Sequence, residues 1–261
     1  MTSTPSTPGY GCFTTMRVDP LPDGAGVGVR GWQRHLARLQ RDSLALVGEA
    51  VPRASVVSAV RGATDGVALP ILVRVAVEPD PRICAMVSGV SRHLPGCRHA
   101  KARSWPLATT TRAVTPSDRP LRVRATRHDR FRPEMKHTLT APELAERDAA
   151  IEEGYDDAVF VTADGLLSEG TTWSLLLGRP DGTWVTPLAE SLPSVTVALL
   201  AERVTLSVEE VRADALDGFD RAAAVGSGRG VHRIASIGPW RTSRGVDELA
   251  SAYASVPLDP V

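Results

Sequence analysis

The sequence predicts a mixed α/β fold, α+β in character, built in two parts. Short strand-like runs alternate with tight turns such as Ala163-Asp164-Gly165 and Pro180-Asp181-Gly182. Helix-like segments are interspersed among the strands rather than grouped at one end. Pro116-Ser117-Asp118 reads as a hinge, dividing a smaller N-terminal domain over 1–115 from a larger C-terminal domain over 119–261.

Element by element, Tyr10 to Val18 reads as a strand with Cys12, Thr14 and Met16 on one face. Asp19 to Gly24 is a turn, and Val27 to Val29 is a short return strand. Trp32 to Val47 is predicted helical, because Trp32, Leu36, Leu39 and Ser43 share a stripe opposite a set of arginines. A second helix is expected at Ala54 to Val60, and a long apolar strand at Val67 to Val77. The pattern breaks down over Ile83 to Trp105, which reads as a long loop, before strand character returns at Leu107 to Val114.

In the second half, strands are expected at Pro120 to Thr126, Ala158 to Thr162, Thr172 to Leu177, Thr183 to Thr186, Leu206 to Val211 and Ala222 to Val225. Helices are expected at Pro142 to Glu153, ended by Gly154, and at Ser194 to Val204, where Ser194 supplies an N-cap hydroxyl. A short helix after Val211 and a last one at Val246 to Ala254 complete the reading.

Composition narrows the class. Apolar content of 43% and charged content of 23% suit a water-soluble globular protein. A formal net charge of zero argues against nucleic acid or an anionic membrane as the main partner. No apolar run reaches membrane-spanning length, and Met1 to Pro8 lacks the features of a cleaved secretion signal. Three cysteines without framework spacing fit a reducing compartment, so a cytoplasmic enzyme is expected. His93, Cys97 and His99 lie close together but lack a fourth ligand, so no metal is expected. Gly226 to Gly230 (GSGRG) lacks the spacing of a dinucleotide fingerprint.

The chain holds two lysines, Lys101 and Lys136, against twenty-eight arginines. Arginine stays protonated, whereas a lysine in a desolvated pocket can lose its proton and attack a carbonyl. Lys136 follows a strand-like run and precedes a helix-like one, and Ser168-Glu169-Gly170-Thr171 comes later between two strand-like runs. Taken alone, Glu169 also fits a strand-edge carboxylate. Arg34, Arg38 and Arg41 also fit a solvated helix face.

Four segments carry a family resemblance: GYGCFTTMRV at Gly9 to Val18, RHLARL at Arg34 to Leu39, MKH at Met135 to His137, and GYDDAVFVTADGLLSEGTTWSLLL at Gly154 to Leu177. Together with Leu192-Pro193-Ser194-Val195-Thr196, the chain resembles the class IV aminotransferases, the fold-type IV enzymes that use pyridoxal 5′-phosphate (PLP). That resemblance implies a cofactor bound between two domains, a homodimer, and a small amino or oxo acid as substrate.

It further implies that Lys136 binds the cofactor covalently and moves the substrate proton, while Glu169 faces the ring nitrogen. Arg38, Val195 and Thr196 would hold the phosphate. Family members usually carry a hydroxyl residue where this chain has Gly228, so Ser227 or backbone amides would substitute. Phe13 and Thr15 would line the substrate side, although Phe13 also fits a core position. His137 suits a structural hydrogen bond, since adjacent side chains diverge. Amino-group transfer is the leading expectation, with cleavage of aminodeoxychorismate to 4-aminobenzoate and pyruvate as the alternative. A retired enzyme serving as a binding protein is a third reading.

Overall fold

A computed structural model describes residues 11–24, 26–77, 107–115 and 118–261. The chain opens with β1 (Cys12–Pro20), β2 (Val27–Arg30), α1 (Trp32–Val47), α2 (Arg53–Thr64), β3 (Ile71–Val77) and β4 (Leu107–Ala113). There follow β5 (Leu121–Arg127), α3 (Ala141–Glu152), β6 (Asp157–Val161), β7 (Leu167–Gly170), β8 (Ser174–Gly178) and β9 (Trp184–Pro187). The remaining elements are α4 (Val195–Leu200), β10 (Leu206–Glu209), β11 (Arg221–Gly226), β12 (Gly230–Ile237), β13 (Trp240–Arg241), α5 (Asp247–Ala254) and β14 (Leu258–Pro260). No helix among the described residues is long and apolar enough to cross a membrane.

A five-stranded sheet runs β14-β2-β1-β3-β4. Its β1 and β3 pair antiparallel from Cys12 opposite Val77 to Val18 opposite Ile71, with Thr14 opposite Val75 and Thr15 opposite Arg74. Strand alternation sends Cys12, Thr14, Met16 and Val18 to one face, where α1 and α2 cover them. There Met16, Val18, Trp32, Leu39, Val56, Val60 and Val73 form a core of fully buried side chains. Phe13 and Thr15 take the opposite face, as their positions in the sequence require.

The larger sheet runs β10-β9-β8-β11-β12-β5-β6-β7, and β7 pairs again with β8. That second pairing closes β8, β11, β12, β5, β6 and β7 into a ring, which leaves these strands without free edges. The ring explains β7. Leu167, Ser168, Glu169 and Gly170 have weak strand propensity, yet all are buried and the segment pairs with β6 and β8.

Several elements differ from the sequence reading. α1 has the expected bounds, but α4 ends at Leu200 because the chain then turns. Ser194 caps it as expected, accepting the Val197 N–H at 3.3 Å. β3 begins at Ile71 rather than Val67, since Pro70 has no N–H to give the ladder. The short helix expected after Val211 is a set of turns. β12, β13 and β14 were not expected as strands. The Ile83 to Trp105 stretch, with His93, Cys97 and His99, lies outside the described residues, as do Pro116 and Ser117 of the expected hinge.

The last strand also crosses the expected domain line. β14 pairs antiparallel with β2, placing Asp259 opposite Val29, so the chain finishes in the first sheet.

Gly170 shows how tightly the ring is packed. A Cβ built there would lie 2.0 Å from the Trp173 ring, whose Nε1–H is held by Asp157 at 2.9 Å. Gly170→Ala is therefore expected to destabilise the chain by about 1–3 kcal/mol or more, as overpacking does. A lowered midpoint in urea denaturation checks this, and an unchanged midpoint contradicts it.

Candidate active site

The lysine segment is stitched to the start of β1. Phe13 N–H donates to Lys136 O at 2.9 Å, and Thr138 N–H donates to Gly11 O at 2.8 Å. Gly11 N–H donates to Thr138 Oγ1 at 2.8 Å, and Cys12 and His137 form the bridge between these contacts. His137 thus shares the buried side of Cys12, and alternation sends Lys136 to the side of Phe13. There its Nζ lies 4.8 Å from the centre of the Phe13 ring, which Arg74 also covers at 3.7 Å. His137 is fully buried, with Nε2 2.6 Å from Phe131 O, and so has the structural role expected of it.

Helix α1 packs a second buried stripe beside the apolar one, made of His35, Arg38 and Asp42. Arg34 and Arg41 lie on the solvated side, but Arg38 is only 8% exposed. Its Nη2 donates to Thr14 Oγ1 at 2.9 Å, and Thr14 Oγ1 is 2.8 Å from His35 Nδ1. With Thr14 accepting from Arg38, its own proton can point to Nδ1. Burial and the neighbouring Arg38 and Lys136 push His35 well below its usual pKa, which keeps the ring neutral. Burial lowers Arg38 itself to about 10, so it remains a cation near neutrality. Its Nε has no hydrogen-bond partner among the described residues.

Glu169 enters from β7 and is 4% exposed. It accepts from Arg130 Nη1 at 3.4 Å and from Leu192 N–H at 3.3 Å. Burial pushes its carboxyl above the usual range, while Arg130, the Leu192 amide and Lys136 pull it back. The electrostatic coupling is mutual, because Glu169 acts on the lysine as well. Removal from water, then Arg38 and Arg130, lower the Lys136 amine to about 7 against the opposing pull of Glu169. Cys12, close in sequence to Phe13, is pushed up to about 12 by burial. Near neutral pH the nucleophile here is thus the amine and not the thiol.

The remaining expected residues lie near the mouth of α4. Val195 and Thr196 are its first residues, both buried. Thr196 Oγ1 lies 3.3 Å from Ser227 Oγ, in the turn between β11 and β12. A Cβ at Gly228 would sit 3.4 Å from a Leu72 methyl, so this turn rests against β3. A cavity of about 250 Å³ runs between Glu169, Leu192, Ser194 and Val197.

Arg130, Thr14, His35 and Asp42 escaped the sequence reading. Arg130 sits among Arg127 and Arg132, and nothing in the pattern sets it apart. Asp42 carried a signal, as the only acidic residue of α1 and next to the inward-facing Ser43.

The family model for amino-transferase class IV matches residues 11–237. Among solved structures, a branched-chain aminotransferase from Thermoproteus uzoniensis is 19% identical with a TM-score of 0.72, over 94% of this chain and 84% of that one. A hypothetical aminotransferase from Mycobacterium tuberculosis, in a PLP-bound form, is 16% identical with a TM-score of 0.73, over 97% of this chain and 95% of that one. A putative 4-amino-4-deoxychorismate lyase is 19% identical with a TM-score of 0.71, over 97% of this chain and 94% of that one. At these identities the likeness shows the fold. No curated protein matches the sequence.

The depressed amine has a measurable sign. Below pH 7 the ammonium cannot add to a carbonyl, and above it the free amine can. Reductive labelling of Lys136 by a small aldehyde should rise with a midpoint near pH 7, not near the 10.5 of an ordinary lysine. Arg130→Gln removes a repelling cation and should move that midpoint up. A wild-type midpoint near 10 would contradict the desolvated setting.

Proposed function

The chain belongs to the class IV aminotransferase family, and from that premise we propose that it transfers an amino group between an amino acid and a 2-oxo acid. The single observation that carries the reading is a lysine amine lowered to about 7 in shared surroundings with buried Glu169 and Arg38. The family works with pyridoxal 5′-phosphate, and the donor set here fits that group. A buried guanidinium with an unpartnered Nε suits a phosphate, and the Thr196 and Ser227 hydroxyls add two further donors. The amides of Val195 and Gly228 complete that set in this reading, and Glu169 would accept from the ring nitrogen.

When bound, the cofactor supplies an aldehyde for an amine and a ring that takes up electrons as the substrate Cα–H bond breaks. Every other task falls to the chain. Lys136 Nζ is about half unprotonated near neutral pH, so it can attach the cofactor without a separate base. Once free of that attachment, Nζ would take the substrate Cα proton and deliver it to the former aldehyde carbon, so that the amino group stays behind. Burial raises the Glu169 carboxyl, and Arg130, the Leu192 amide and Lys136 oppose that rise by favouring the charged form. Phe13 keeps water from Nζ on the β1 side, and Thr15 stands beside it on the same face.

We read the working unit as a cytoplasmic homodimer acting on small amino and oxo acids, with neither nucleic acid nor membrane as partner. A net charge of zero supports the last two points. Phe131 and Leu139, 62% and 45% exposed on either side of the lysine, offer apolar surface for a second copy. The division into domains over 1–115 and 119–261 is retained, with β14 returning to the first.

Lysis of aminodeoxychorismate is the second reading, since Lys136-His137 resembles that branch. That branch often reads Lys-His-Leu-Asn, whereas this chain continues Thr138-Leu139 without the asparagine, which favours amino transfer. The low-pKa amine argues against a retired enzyme.

Purified protein given pyridoxal phosphate should develop a visible absorption band, and borohydride should fix the cofactor on Lys136. Lys136→Ala should lack the band and lose activity by about 10²–10⁴-fold, the usual share of a proton-transfer group. An amino-donor panel with 2-oxoglutarate should yield new amino acid. Release of 4-aminobenzoate from aminodeoxychorismate without an oxo acid would overturn the transfer reading in favour of the lyase.

A further inference from the structure

We propose that Asp42 is a positioning residue: by accepting the main-chain N–H of Lys136, it fixes the point from which the lysine amine reaches, relative to Arg38. This inference rests on the roles given above to Lys136 and Arg38 and goes beyond them.

Asp42 is 1% exposed, on the inward side of α1. Its Oδ2 accepts Lys136 N–H at 3.0 Å. Its Oδ1 accepts from Arg41 Nε at 2.9 Å and Nη2 at 2.7 Å. The same Arg41 Nη2 donates to Glu134 O at 2.9 Å, so α1 holds the lysine segment at two successive points. A buried carboxyl is costly unless its oxygens are used, and one of these is used on the segment that carries the amine.

The main chain at Lys136 is thereby engaged on both sides. Its carbonyl accepts from Phe13 N–H, and its own N–H donates to Asp42. The β1 contacts alone would allow the segment to pivot about that edge, whereas Asp42 adds a contact from a different element. Asp42 follows Arg38 by four residues, about one turn or roughly 6 Å of helix rise. The anchor for phosphate and the anchor for lysine thus share one rigid element, so the helix repeat sets the distance between them. Such distances matter, because a misplacement of about 1 Å at a reacting group can cost on the order of 10²-fold in rate.

The test compares Asp42→Asn, which keeps an oxygen for the Lys136 N–H, with Asp42→Ala, which removes it. Two quantities are read: the rate at which pyridoxal phosphate attaches to Lys136, trapped by borohydride and located by peptide mass, and the affinity for pyridoxine phosphate. The second compound has the ring and phosphate but no aldehyde, so its binding does not report on the lysine. Asp42→Ala should slow attachment by about 10- to 100-fold while pyridoxine phosphate binds within about threefold of normal. Asp42→Asn should restore most of the rate.

Attachment at the normal rate in Asp42→Ala overturns the proposal. So does an equal loss of attachment and pyridoxine phosphate affinity, or an Asn variant as slow as the Ala one. Should Asp42→Ala fail to unfold cooperatively, hydrogen exchange of the Lys136 amide in the unaltered chain decides. Strong protection supports the proposal, and exchange at the rate of an open loop overturns it. Persistent attachment in Lys136→Ala would instead sink the assignment of the lysine, and this inference with it.

Discussion

The chemistry proposed for this chain depends on keeping one amine away from water. An ammonium shielded from water loses part of its hydration, so the neutral form gains at its expense. Arg38, Arg130 and Arg74 add repulsion to that loss, and Glu169 acts in the other direction. The fold is arranged around this imbalance. The β1 edge faces the amine toward Phe13, the closed ring delivers Glu169 and Arg130, and α1 delivers Arg38 on its buried side.

Desolvation would defeat itself if it also neutralised Glu169. Burial does push that carboxyl upward, and Arg130 with the Leu192 amide holds against it. Arg130 therefore acts on both groups in the same useful direction, favouring a neutral lysine and a charged glutamate. Its side chain is 5% exposed, as is that of Glu169, so solvent screens the pair little. Breaking such a pair on one side leaves a buried charge uncompensated, which costs more than the pair itself contributes.

Much of this was legible in the sequence, and the parts that were not share a physical cause. α1 was read to its ends because Trp32, Leu36, Leu39 and Ser43 keep helical spacing. β1 was read because Cys12, Thr14 and Met16 keep strand spacing, and all three are buried. Lys136 and Glu169 stood out, one by rarity and context and the other by its setting between strands. β7 was missed because four residues rich in polar and small types show no periodicity, and ring closure alone makes them a strand. β12 was missed because its first four residues, Gly230 to Arg233, are all half-buried, which hides any alternation there. Arg38 was ambiguous because a buried and a solvated arginine occupy the same helical repeat. Tertiary contacts to Thr14 decide the matter, and spacing carries no trace of them.

The return of β14 to β2 has a consequence for biosynthesis. During translation the first sheet leaves the ribosome long before the strand that completes its outer edge. Until Leu258 to Pro260 emerge, the backbone groups of β2 that face outward wait for a partner. Contacts between such distant parts of a chain form slowly. A nascent N-terminal half therefore presents an open strand edge, a surface that holding chaperones would find and that the finished molecule conceals.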